Sequence, residues 1–444
     1  MNRIKARLEG KVLPIVLFTI FMDLVGVGLL IPVIPQLLAN PHSGFYLLPA
    51  GWTLKQGFIL LGFLTAIYPF MQFLATPILG QLSDKFGRKK ILAICLTGTG
   101  IGYVLFAIGI LARNIPLLFF ARALDGITGG NLAVAQAAVA DVTPPEKRTR
   151  NFGLIGAMFG LGFVLGPYIG GKLATAGVTL IHIGPIKALT SPSWFNAATP
   201  FWFAALLSAV NLVLVLVNFP ETLTKVQKGL RIQWNKSVSN IVKAATAPGL
   251  RTVFPTVFLF WAGFTFFTTF FGVFVTDKLH FSANNLGDYF AYIGIWMAFT
   301  QGALAGPIAK RFANWRIVRI AVLGTSIAVL LNLVPNNTTQ LLLLSPPIMI
   351  FVGLFIANAT ALVSRSASAE VQGEVLGIMA SVQALAQAIP AALTGYLGGI
   401  NRNVPVIAAS ITIGLGGLLF MFLYKPTSRA KGPDPEGLPA GVPA

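Results

Sequence analysis

Twelve apolar runs divide this chain almost from end to end, and several exceed the roughly 18 residues that an α-helix needs to cross the hydrocarbon of a bilayer. Only helices and closed barrels satisfy their own backbone hydrogen bonds in that medium, so runs of this length leave few folds open. The spans are read as 13–38, 57–82, 91–112, 115–140, 152–173 and 200–219 in the first half. In the second half they are 252–275, 288–309, 317–334, 341–363, 375–399 and 404–424. Composition agrees: 10% of residues are charged and the mean hydropathy is +0.78, whereas a soluble domain carries about 25% charged residues. The run from Leu13 to Leu38 is too long for a secretory signal and lacks a small-residue cleavage site, so it is read as the first span. The expected class is an all-α integral membrane protein of twelve transmembrane helices.

The formal net charge of +19 could suggest nucleic acid, but the placement of the charges excludes it. Most Lys and Arg fall in alternate connectors, the pattern that retains loops in the cytoplasm. Both termini are therefore expected in the cytoplasm, and the protein in the plasma membrane, the inner membrane of a bacterium. The connector Pro220–Arg251 holds Lys225, Lys228, Arg231, Lys236, Lys243 and Arg251 against the single acid Glu221, and suits a partly helical linker on an anionic leaflet. It divides an N-terminal bundle, 1–219, from a C-terminal bundle, 252–424. The Pro/Gly-rich tail, 425–444, is expected to be disordered and cytoplasmic. The longest outer loop, Ala174–Thr199, carries His182 and Lys187 but no cluster suited to a ligand.

Between the second and third spans lies Gly80–Lys90, GQLSDKFGRKK. Asp84 and Arg88 stand four apart and can pair, while Gly80 and Gly87 permit close backbone approach. A degraded copy follows in the second half. Gly306, Ile308, Lys310, Arg311 and Phe312 mirror Gly80, Leu82, Asp84, Lys85 and Phe86, and Met297 and Phe299 mirror Met71 and Phe73. A repeat half a chain apart implies two related halves.

Nothing in the sequence suggests an enzyme. His42, His182 and His280 lie in outer loops without metal-ligand spacing, Cys95 is a lone thiol in an apolar run, and no phosphate-binding loop is present. Without ATP, pumping must draw on an ion gradient, and no cofactor is expected. Three charges stand well inside the spans: Asp23, Arg122 and Asp125. Each costs at least about 2.5–3.5 kcal/mol at a helix centre, so each must face protein or water. Asp23, near mid-depth and followed by Gly26, Gly28, Pro32 and Pro35, has no basic residue within a helical turn and suits a proton carrier. Arg122 and Asp125 share a helix face and can neutralise each other.

The stretch GQLSDKFGRKKIL closely resembles the loop between helices 2 and 3 of the major facilitator superfamily, with Gly80, Leu82, Asp84, Gly87, Arg88, Lys90 and Leu92 on the motif. The resemblance implies two pseudo-symmetric six-helix bundles that rock about a site at mid-membrane. FFARALDGITGG resembles the family's helix-4 motif, whose arginine, here Arg122, is assigned to proton coupling; Asp125 stands where an uncharged residue is usual, which leaves Asp23 and Asp125 both open as the main proton carrier. GFVLGPYIGG matches the helix-5 motif of the family's antiporters through Gly162, Gly166, Pro167, Gly170 and Gly171, which implies export. The family's cytoplasmic charge lock carries over to Asp84, Arg88 and Asp141, with Arg148 and Arg150 nearby. Lys310 in place of an acid makes that lock asymmetric.

Arg122–Gly171 and VQGEVLGIMASVQAL look most like the tetracycline/proton antiporters. The embedded histidine and acid of helices 8 and 9 in those proteins are missing here, with Met297 near the former position, which points away from tetracycline itself. Phe264, Trp296, Gln301, Gln383 and Gln387 are the expected solute contacts, and most of the remaining aromatics of 252–275 are expected to pack or face lipid. The expected function is proton-coupled export of small, partly apolar solutes by a monomer. Export of a metabolite such as a siderophore or sugar is the alternative, and proton-coupled uptake a more distant one.

Overall fold

The structure is a computed structural model that describes residues 2–144, 147–183, 186–223, 232–246, 250–365 and 372–425. The tail beyond Lys425 and parts of the linker lie outside the described residues.

Helices account for all twelve spans. In the first half they are α1 (Asn2–Leu38), α2 (Leu54–Phe86), α3 (Arg88–Leu111), α4 (Ile115–Thr128), α5 (Asn131–Val142), α6 (Arg148–Leu173) and α7 (Thr199–Asn218). A linker helix, α8 (Lys236–Thr246), follows. The second half comprises α9 (Val253–Leu279), α10 (Ala283–Phe299), α11 (Ala305–Arg311), α12 (Asn314–Leu331), α13 (Thr338–Leu344), α14 (Pro346–Arg365), α15 (Gln372–Ile400) and α16 (Val404–Leu423). Among the described residues nine helical stretches are long and apolar enough to cross a membrane unaided. The remaining spans are the glycine-rich α6 and the two interrupted pairs α4–α5 and α10–α11.

The interruptions have local causes. Gly129 and Gly130 end α4, since glycine is the weakest helix former after proline and two in succession release the backbone. Gln72 Nε2 then takes up the Gly129 carbonyl at 2.9 Å. A π-helical turn, Thr300–Leu304, separates α10 from α11. The outer loop departs from an all-α reading: β1 (Thr179–Ile183) and β2 (Ile186–Thr190) form an antiparallel hairpin with Thr179 opposite Thr190.

Within the first half α1 packs on α6 and α7, and α3 on α7 and α4. Within the second, α9 packs on α16 and α12 on both α14 and α16. The halves meet through α2 on α15 and α6 on α10, chiefly toward the end that carries the hairpin. There Phe58 meets Phe270 edge-on at 5.2 Å, and Lys172 pairs with Asp288 at 3.0 Å. Close packing of backbones drives helix association in lipid, where no hydrophobic force acts between helices. A Cβ on Gly171 would stand 2.5 Å from the Ala283 carbonyl and 3.0 Å from Gly287, so α6 and α10 touch backbone to backbone.

At the opposite, basic end the halves are bridged by α8. Ser237 Oγ donates to the Leu74 carbonyl of α2 at 3.2 Å, and Asn240 Nδ2 donates to Ser381 Oγ of α15 at 3.1 Å.

Candidate functional site

The three embedded charges converge in the first bundle. Arg122 Nη1 donates to Asp125 Oδ2 at 2.8 Å one turn along α4, and both side chains are buried. The guanidinium also lies over the Tyr68 ring of α2, 4.4 Å from its centroid, which offsets part of the cost of burying a cation. Arg122 Nε has no partner among the described residues.

Asp23 stands apart from that pair, and its carboxylate Oδ2 accepts from Asn131 Nδ2 at 2.7 Å. Asn131 is fully buried at the first position of α5, where the Gly129–Gly130 break turns the chain toward α1. The same break is held by Gln72, so one element of α2 supports both the Arg122 and Asp23 sites. Sequence reasoning passed over Asn131, Tyr68 and Gln72. The signal available was the adjacent GG pair, which places a polar residue at a new helix start inside the membrane.

The antiporter-type stripe on α6 serves two partners. Gly162, Gly166 and Gly170 seat against Leu24, Gly28 and Leu29 of α1, while Gly171 seats against α10. One face therefore fixes α6 to its own bundle and a neighbouring one meets the other half. Pro167 lies within the helix, and its carbonyl faces Gly287 of α10.

At the basic end Arg88 gathers Asp84 at 2.7 Å, Asp141 at 3.1 Å and the Ser83 hydroxyl at 2.5 Å, and Thr222 donates to Asp141 at 3.2 Å. Glu221 accepts from the backbone N–H groups of Arg88 and Lys89 at 3.0 and 3.2 Å, capping the exposed donors at the start of α3. Gly87, with φ of +100°, makes room for it, because a Cβ there would meet the Glu221 carboxylate.

One expectation is corrected here. Gly80 permits no special approach, since a Cβ on it would meet nothing. Among the described residues the partners of this cluster come from the first bundle and from the start of the connector, Glu221 and Thr222, and α8 bridges the halves at this end. Arg148 and Arg150 have side chains outside the described residues. Asn314, the counterpart of Arg88 in the repeat, donates instead to Asn358 at 3.0 Å, a neutral pair.

Glu9 is a further buried acid that hydropathy overlooked. The first helix begins at Asn2, well before the apolar run, and Glu9 binds Lys147 at 3.1 Å and Asn151 at 3.0 Å.

The expected solute contacts divide. Phe264 is buried among Phe260, Trp261 and Phe267. The aromatics of α9 are in the main buried, because this helix is surrounded by α15, α16, α14 and both α1 and α2. Trp296 is half-buried beside Tyr292 and Phe299. Gln301 lies in the π-turn, and Gln383 and Gln387 lie one turn apart on α15. All three are half-buried, and their amides bond to no group among the described residues. The interior of the second bundle holds hydroxyls and amides, and among the described residues no buried charge.

Comparison with known proteins places this geometry. The model of the Major Facilitator Superfamily matches residues 16–391. A class H tetracycline resistance protein of Pasteurella multocida is 31% identical over 70% of this chain and 70% of its own length. The class C protein of Escherichia coli is 29% identical over 82% of this chain and 84% of its own. Multidrug resistance protein 1 of Bacillus subtilis is 26% identical over 91% of this chain and 94% of its own. Among solved structures, a D-xylose–proton symporter superposes with a TM-score of 0.72 at 14% identity, covering 95% of this chain and 99% of that one. A human organic anion transporter gives 0.69 at 23% identity, covering 93% and 99%.

Proposed function

We propose that this protein, which belongs to the Major Facilitator Superfamily and is a multi-pass membrane transporter rather than an enzyme, exports small, partly apolar solutes in exchange for protons. The observation that carries the reading is the set of charges set well inside the first bundle: the buried pair Arg122 and Asp125, and the half-buried Asp23 held by Asn131. A carboxylate well inside a span and held only by a neutral amide is costly, and such groups mark proton or substrate paths. The names of the relatives, resistance proteins for tetracycline and for multiple drugs, favour export and a drug-like solute.

In this reading Asp23 carries the proton. Asp125 has a full positive partner at 2.8 Å, so neutralising it would strand Arg122 in the membrane. Asp23 has only Asn131, and can change charge without leaving an ion behind. The proton gradient supplies the energy, and the basic end faces the cytoplasm. Trp296, Gln301, Gln383 and Gln387 offer the solute an aromatic surface and unpaired amides between the bundles, with access alternating as the bundles rock. The boundaries of the two bundles at 219 and 252, and a monomeric state, belong to the same proposal.

The test is transport in proteoliposomes under an imposed pH gradient, with a panel of drugs and metabolites, together with proton release from purified protein when solute is added. Export that follows the gradient and vanishes in Asp23→Asn supports the proposal. Release that persists in Asp23→Asn but is lost in Asp125→Asn assigns the proton to α4 instead. Uptake driven by the inward gradient would replace antiport with symport.

A further inference from the structure

We infer that the first bundle holds a single bound water between α1, α3 and α7, seated by Asn211 against the carboxylate of Asp23. The proposal rests on the reading of Asp23 as the proton carrier.

Asp23 faces two ways. On one side is Asn131; on the other is a small cavity bordered by Asp23, Gly26, Thr99, Tyr103, Ser208 and Asn211. Its volume of about 10 Å³ matches the room one water needs. Asn211 is fully buried, and its Nδ2 has no partner among the described residues. Its Oδ1 lies 3.0 Å from Thr19 Oγ1, whose single proton can also reach the Ile15 carbonyl at 2.9 Å. Turning the amide over therefore pairs Nδ2 with Thr19 and frees Oδ1 instead. In either orientation one polar atom of Asn211 is left unpaired in a membrane core, and an unpaired buried polar group costs about 1–3 kcal/mol. Ser208 spends its proton on the Leu96 carbonyl at 3.0 Å and keeps its lone pairs for a donor. The residues that border this cavity include one acid, one amide with an unpaired atom and one hydroxyl with free lone pairs, a set that suits water, which both donates and accepts, better than an ion.

The chemistry explains why such a water belongs beside this acid. Asn131 Nδ2 can only donate, so it serves the carboxylate, or the carbonyl oxygen of the neutral acid, but cannot accept from a carboxyl O–H. After protonation the carboxyl O–H requires an acceptor, and a water provides one while continuing to donate to the charged form. Charged and titratable groups around Asp23 are Asp125 and Arg122 on α4, Tyr68 on α2, and Cys95 and Tyr103 on α3. None of them bonds to its carboxylate.

The experiment is infrared difference spectroscopy of the full-length protein on acidification, in ordinary water and in water labelled with oxygen-18. The expected result is a carboxyl band that is lost in Asp23→Asn, accompanied by a water O–H band that shifts with the isotope. In Asn211→Leu the carboxyl band should remain and the water band should vanish, while solute-triggered proton release slows about tenfold, the scale of one lost hydrogen bond. Ser208→Ala, a smaller change, should weaken the same water band if Asn211→Leu does not fold. A carboxyl band without any isotope-sensitive water band overturns the inference while leaving Asp23 as carrier. So does a water band that survives both variants, or one that answers to Asn131→Leu instead. Absence of the carboxyl band in the unaltered protein refutes the reading of Asp23 itself.

Discussion

Gly171→Ala tests the way the two halves are joined. The new methyl would lie 2.5 Å from the Ala283 carbonyl and 3.0 Å from Gly287, both on the other bundle. Ordinary contact lies beyond about 3.4 Å, so the hairpin ends of α6 and α10 must part by close to 1 Å. Overpacking of this kind costs about 1–3 kcal/mol. Because the clash spans two bodies, the cost falls on the state in which this end is closed. The ratio of closed to open protein should then fall by about 5- to 150-fold. Gly166→Ala is the control. Its methyl would stand 2.8 Å from Gly28 and from the Val25 carbonyl, both on α1 in the same bundle, so its cost should appear as lower stability in every state. The assay is thiol labelling of Ala391→Cys, a buried position in the α2–α15 seam, in a Cys95→Ser background, alongside thermal melting. Gly171→Ala should speed labelling and change the melting point little; Gly166→Ala should do the reverse. Equal losses of melting point with unchanged labelling in both would refute the argument.

Other outcomes follow from the same geometry. Asp84→Asn should insert and fold yet transport poorly, because it removes one of two carboxylates from the buried Arg88; transport at the unaltered rate would deny Asp84 its role. Glu221→Ala should cost about 1 kcal/mol by uncapping α3, read as a lower melting point with solute binding intact. Single cysteines at 83–90, 141–151, 220–251, 310–316 and 364–374 should resist membrane-impermeant thiol reagents in intact cells, and labelling of 220–251 from outside would invert the orientation.

Hydropathy found the spans because each must be apolar whatever it packs against. It could not find the start of α1, where a polar helical stretch continues beyond the apolar run and buries Glu9 against α6. Nor could it show the break at Gly129–Gly130, since two glycines lower helix propensity without disturbing mean hydropathy. The charged half of the site was legible because Asp23, Arg122 and Asp125 stand out against an apolar background. Asn131 and Asn211 did not stand out: buried amides are unremarkable in sequence, and only their distances from Asp23 and Thr19 distinguish them. The burial of Phe264 was not legible for a related reason, as an aromatic surface and an aromatic core share one composition.

The confinement of buried charge to the first bundle has a consequence for ancestry and for engineering. Two copies that began alike have parted into one that carries acids and arginine and one lined by neutral Asn314, Asn358, Ser326 and Ser410. On the proposed assignment of proton and solute, selection for a new solute acts on the second copy, by exchange of amides and aromatics, without retuning the ionisable groups of the first. A gene so divided can diversify its cargo by recombination at the linker, keeping its engine while changing its hold.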